Sequence, residues 1–103
     1  QLVEYLHGNY TEICDFIAKE MPSLKVMPLE STYLAWIDIR DTGMTSEAFT
    51  DMLLRHTGLM VNPGTMYGPH GEGFIRLNFA CPRSMVIDAM HRLKTAIDMH
   101  FNA

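Results

Sequence analysis

The residues best suited to chemistry lie in one stretch, Phe74-Ile75-Arg76-Leu77-Asn78-Phe79-Ala80. Read as a strand, its period of two puts Ile75, Leu77 and Phe79 on one face and Phe74, Arg76, Asn78 and Ala80 on the other. The first face is core. The second sets a guanidinium and an amide side by side in otherwise apolar surroundings. An arginine there cannot discharge, so it must meet an anion or stay hydrated. Its planar fork matches a carboxylate bidentately, through charge-assisted bonds of about 1.5–3 kcal/mol. Two partners remain open: an internal acid, Asp38 or Glu72, in a structural ion pair, or the carboxylate of a bound small molecule. The segment ahead of the arginine, Asn62 to Gly73, holds four glycines and two prolines in twelve residues. Glycine lets backbone come close to something or swing over it, so this loop reads as the wall of a small-molecule site.

Other chemistries find little support. Gly68, Gly71 and Gly73 have the wrong spacing for a phosphate cradle, and they lead into a strand where such a cradle needs a helix N-terminus. The five histidines, His7, His56, His70, His91 and His100, show no metal-ligand spacing; His56, His91 and His100 read as surface or capping residues, and His70, in the glycine loop, either touches a ligand or, as loop histidines usually do, is simply solvated. Cys14 and Cys81 form no disulfide framework, and free, reduced thiols are expected. No residue near Cys81 stands out as a base for a nucleophile, and no Gly-x-Ser-x-Gly elbow exists. What remains is a binding arginine without catalytic apparatus.

The elements that must hold this arginine follow from periodicity. Leu6, Tyr10, Ile13, Cys14, Ile17 and Met21 make a helical stripe ended by Pro22. Residues 24–29 form a short strand that Pro28 demotes to an edge, and Tyr33–Ile39 reads as a buried strand. After a turn at residues 40–43, Thr45 or Ser46 offers a helix N-cap, with Phe49, Met52, Leu53 and His56 on the stripe and Gly58 at the C-terminus. Leu59-Met60-Val61 reads as a strand and Phe74–Ala80 as another. Pro82 and Ser84 open a last helix bearing Val86, Met90, Leu93 and Ile97, with Met85 and Ala89 beside them. The order α-β-β-α-β-loop-β-α predicts an α+β sandwich, one sheet with helices mainly on one face. The nine methionines are expected to fill the core.

Composition bounds the class. The 103 residues suit a single domain spanning 1–103; 48% are hydrophobic and 19% charged, a globular balance. Eight Lys and Arg against twelve Asp and Glu give a net charge of −4 and argue against nucleic acid. No apolar run approaches a membrane span and no signal peptide is visible, so no membrane partner and a cytoplasmic location are expected. The chain begins without Met inside a helical pattern, as if cut from something longer.

Taken in order, Ser31-Thr32-Tyr33-Leu34-Ala35-Trp36-Ile37-Asp38, Asn62-Pro63-Gly64, Tyr67-Gly68 and the run from Gly71 to Arg83 resemble a known pattern. It is that of the C-terminal small domain of pyridoxal-phosphate (PLP) enzymes of the aspartate aminotransferase fold, nearest the cystathionine β-lyase (C–S lyase) subgroup. The resemblance runs essentially end to end. It implies a mainly antiparallel sheet of about four strands covered by helices. It also implies that Arg76 is the arginine gripping the α-carboxylate of an amino-acid substrate, in a small domain closing over it. The implied partners are a large PLP-binding domain of the same chain and, in the parent enzyme, a second subunit. The family's covalent lysine belongs to that large domain; Lys19, Lys25 and Lys94 stand in no such context. The resemblance thus implies β-elimination or transamination by the parent, no cofactor-binding residue here, and a fragment inert alone. A stand-alone amino-acid sensor, and a structural dimerisation module with Arg76 paired to Asp38, are the alternatives. Cut from its large domain, the segment is expected to expose apolar surface and self-associate.

Overall fold

The computed structural model describes residues 2–29 and 33–101, with the side chains of residues 2 and 3 left aside. Ser31 and Thr32, the start of one resemblance motif, lie outside the described residues. Helix α1 (Leu2–Glu20) leads to strand β1 (Lys25–Val26) and strand β2 (Leu34–Asp38). Helix α2 (Ser46–Thr57) follows, then β3 (Asn62–Pro63), β4 (Phe74–Asn78) and helix α3 (Arg83–Phe101). The sheet runs β1-β2-β4-β3 with every neighbouring pair antiparallel. Strand β4, which carries Arg76, is therefore bonded on both edges. The expected α+β architecture is present.

The helices cover one face. Ile13 and Ile17 of α1, Phe49 and Leu53 of α2, and Met90 and Leu93 of α3 meet Ala35, Ile37 and Ile75 of the sheet, all essentially sealed from solvent. This is one apolar cluster, and its burial drives the packing. One polar side chain enters it. Asn9 is fully buried and donates from Nδ2 to Phe79 O and Cys81 O, both at 2.9 Å. Its Oδ1 accepts from Arg83 Nε, so α1 is tied to the turn that opens α3.

Several element boundaries differ from the sequence reading for physical reasons. No strand forms at residues 59–61; Leu59 and Val61 pack on the core while Met60 is 75% exposed. Pairing begins instead where Asn62 comes opposite Arg76, and Pro63, lacking an N–H, limits the strand to two residues. Strand β4 stops at Asn78, although Phe79 N still reaches Tyr33 O at 2.9 Å. There Asn78 Oδ1 accepts from Ala80 N at 2.8 Å and turns the chain. Methionine is less a core filler than expected. Met21, Met52 and Met90 are buried, but Met60, Met66, Met85 and Met99 are exposed. All five histidines are exposed, and both cysteines are free. Among the described residues no helix is long and apolar enough to cross a membrane.

Candidate functional site

The sheet face opposite the helices carries the arginine. Trp36 on β2 and Asn62 on β3 stand directly opposite Arg76 on β4. The short helical turn Gly64–Tyr67 lays the Tyr67 ring beneath the guanidinium, with Cζ 4.0 Å from the ring centroid and 5.8 Å from that of Trp36. Trp36 meets Tyr67 and Phe74 edge-on, at 5.8 and 6.2 Å between centroids. Asn62 Nδ2 donates to the Tyr67 hydroxyl at 3.0 Å. Beside this aromatic group opens a cleft of about 440 Å³, walled by Trp36, Phe74, Tyr67, Met27, Pro28 and His70.

Arg76 is only half-buried, yet its Nε is sealed from solvent with no hydrogen-bond partner. The internal acids proposed for it are engaged elsewhere. Asp38 takes a two-pronged grip from Arg40, Nε to Oδ1 at 3.0 Å and Nη2 to Oδ2 at 2.8 Å. That hydrogen bonding holds the Asp38 carboxyl below its ordinary pKa against the opposing pull of burial. Glu72 accepts from Ser46 N and Gly73 N, each at 2.8 Å, against the N-terminus of α2 where negative charge is favoured. An Arg76 ion pair with Asp38 or Glu72 is therefore corrected: neither is present. Asn78 faces solvent and serves the turn after β4, so it adds nothing to the guanidinium.

The glycine loop also differs from expectation. It folds as two successive short helical turns, Gly64–Tyr67 and Pro69–Gly71, locked backbone to backbone. A Cβ on Gly71 would stand 2.0 Å from Gly64 O, and one on Gly64 would stand 2.2 Å from Gly71 O. Ser46 Oγ, fully buried, accepts from Gly73 N at 2.7 Å and Phe74 N at 3.1 Å. Of the two uses expected of these glycines, close backbone approach is the one seen, between parts of the loop itself, and these bonds pin the loop rather than leave it to swing.

Other chemistry stays absent among the described residues. No cluster of His, Cys, Asp or Glu could hold a metal. Burial pushes both cysteine thiols up, which leaves neither an activated nucleophile. Lys25 pairs with Asp41 at 3.6 Å and Lys94 with Asp98 at 2.7 Å, while Lys19 is exposed on α1; none lines the cleft. Trp36 and Tyr67 were not singled out as site residues by residue chemistry alone. Strand alternation puts Trp36 on the arginine face, but nothing in the spacing brings Tyr67 under it.

No protein-family model matches the chain. It is 34% identical to cystathionine β-lyase PatB of Bacillus subtilis, over 94% of this chain and 25% of that enzyme. It is 33% identical to an aspartate aminotransferase of Pyrococcus horikoshii, over 93% of this chain and 25% of the relative. Among solved structures, cystalysin from Treponema denticola, which contains a pyridoxal 5′-phosphate cofactor, superposes with a TM-score of 0.89 at 28% identity. That match covers 96% of this chain and 25% of cystalysin. The chain matches the C-terminal quarter of PLP-dependent enzymes of the aminotransferase fold. Its homologues are C–S lyases and aminotransferases, and it spans about a quarter of their length. In such enzymes the PLP site lies in the large domain, outside the matched quarter.

Proposed function

We propose that this small domain binds the substrate carboxylate in a PLP-dependent enzyme acting on amino acids, of the C–S lyase or aminotransferase type. Arg76 is the clamp. The observation that supports this is a cation with no counter-ion: the guanidinium sits mid-sheet on an aromatic bed, its Nε sealed and unpartnered, while Asp38 and Glu72 are bound elsewhere. A buried donor left unmade costs about 1–3 kcal/mol, so a folded protein that keeps one has a use for it. No acid among the described residues pairs with the fork, and its two terminal nitrogens have the geometry to meet two carboxylate oxygens.

PLP bound in the large domain supplies the electron sink for cleaving bonds at the substrate Cα. The residues here grip and orient. Holding the carboxylate in a bidentate pair fixes how the Cα bonds face the cofactor, a positioning effect larger than the bond itself. Trp36 and Phe74 wall the cleft beside the clamp with apolar surface. The domain closes as a lid against the large domain, and exposed Met66 and Tyr67 on this side are surface for that contact. By itself the domain has no catalytic activity.

The test is Arg76→Gln in the intact enzyme that carries this chain. kcat/KM for amino-acid substrates is expected to fall about 10- to 150-fold, matching the loss of charge-assisted bonds. Arg76→Lys recovers only part, because a point charge does not reproduce the fork. Turnover of Arg76→Gln within twofold of the original on the same substrates would overturn the reading.

A further inference from the structure

Tyr67 stands in a different relation to Arg76 from every other neighbour. Its ring centroid is 4.0 Å from the guanidinium carbon, closer than the 5.8 Å of Trp36, and the two rings meet edge-on. The ring is itself held. Asn62 Nδ2 bonds its hydroxyl at 3.0 Å, and Asn62 is the residue directly opposite Arg76 on the neighbouring strand. The turn bearing Tyr67 is fixed by the Gly64–Gly71 backbone contact. Arginine has a long, rotamer-rich side chain, and among the described residues the Nε of this one has no hydrogen-bond partner. The contacts that restrain the fork there are the rings of Tyr67 and Trp36.

Resting on the carboxylate-clamp reading, we infer that Tyr67 is the positioning residue of that clamp, holding the Arg76 fork by cation–π stacking, with Asn62 as its tether. The substrate never needs to touch Tyr67. A cation–π contact uses no N–H of the guanidinium, so it holds the fork without consuming the donors a carboxylate requires. Asn62 bonds the hydroxyl and thereby fixes the ring plane.

The experiment uses the intact enzyme and two readouts: the KM-against-kcat split, and the calorimetric dissociation constant of a simple unreactive carboxylate, 3-phenylpropionate. Tyr67→Leu is expected to raise both KM and that dissociation constant about 3- to 30-fold, the range of an aromatic–cation contact, with kcat little changed. Tyr67→Trp keeps a face for the cation and is expected to stay within threefold of the original. Tyr67→Phe, which loses only the tether, is expected to fall between. In an Arg76→Gln background, Tyr67→Leu is expected to add nothing, because its effect runs through the guanidinium. Equal losses from Tyr67→Leu with and without Arg76 would overturn the inference, since the ring would then touch the substrate directly. So would an unchanged dissociation constant in Tyr67→Leu. If Arg76→Gln alone left carboxylate binding intact, the clamp reading itself would fall, a result distinct from both. Tyr67 is about half exposed, so the leucine variant is expected to fold; should its melting show otherwise, the Phe and Trp variants carry the test, and a loss equal in the two would overturn the inference.

Discussion

Replacing Ser46 by alanine removes one hydroxyl from the point where α2 meets the loop ahead of β4. That oxygen is fully buried and accepts from Gly73 N at 2.7 Å and Phe74 N at 3.1 Å. Its own proton goes to Gly71 O at 3.2 Å or Glu72 Oε2 at 3.4 Å. In the alanine variant Gly73 N keeps Glu72 Oε2 at 2.8 Å, so Phe74 N and Gly71 O are the groups that lose this partner. An orphaned buried donor costs about 1–3 kcal/mol, and a carbonyl with a second lone pair costs less. The expected destabilisation is about 2–3 kcal/mol. The neighbouring Thr45 is the control. Its exposed hydroxyl caps α2 by accepting from Ala48 N at 3.1 Å, and Thr45→Ala is expected to cost about 1 kcal/mol. Thermal unfolding of the chain followed by circular dichroism separates the two. At about 4–8 °C per kcal/mol for a domain of this size, Ser46→Ala is expected to melt at least about 8 °C lower and Thr45→Ala about half that. If Ser46→Ala lost no more than Thr45→Ala, the buried hydroxyl would not be what holds the loop to the helix.

Two more perturbations test the same region. Gly71→Ala forces a methyl to 2.0 Å from Gly64 O, backbone that cannot yield, and is expected to cost about 3 kcal/mol or more in urea unfolding. Gly43→Ala meets open space and only the strain of its φ of +76°, and is expected to cost about 1–2 kcal/mol. For pH, the Arg40 hydrogen bonds set the Asp38 carboxyl below its unfolded value. The stability this gives is complete above the ordinary carboxylate range and is lost as pH falls through the lowered folded value. Urea unfolding between about pH 6 and 2 is expected to show a shallower loss in Asp38→Asn than in the original chain, and equal slopes would refute it.

Most of the fold was legible because the core obeys simple periods. Ile13 and Ile17, Phe49 and Leu53, and Met90 and Leu93 fall at helical spacing and are all sealed in the core. The alternation that set Ile75 and Leu77 against Arg76 holds, and so does the edge position of β1 implied by Pro28. What stayed hidden depends on distant groups meeting. Ser46 and Glu72 are twenty-six residues apart, and nothing local marks one as the other's partner. Asn9 sits seventy residues from Phe79, on the polar-looking side of a stripe. Thr45 and Ser46 look equal as caps in sequence, but one lies in water and the other within the fold. Asp38 was the obvious partner for Arg76, yet Arg40 two residues on competes from a closer start and takes both oxygens.

On the carboxylate-clamp reading, the position of Arg76 points to a division of labour. Arg76 springs from a strand bonded on both edges, so its Cα is fixed by the sheet and its fork by an aromatic bed. The entropy of ordering a long side chain is then lost on folding, before any ligand arrives, and an incoming carboxylate bears less of it. The sealed Nε works the same way, since its missing bond is a cost of the folded state. The chain is 34% identical to a lyase and 33% identical to an aminotransferase, over nearly the same span. On the carboxylate-clamp reading, both chemistries hold an amino acid by its carboxylate, so one kind of small domain can serve either. What happens to the bonds at Cα then belongs to the other three quarters of the enzyme.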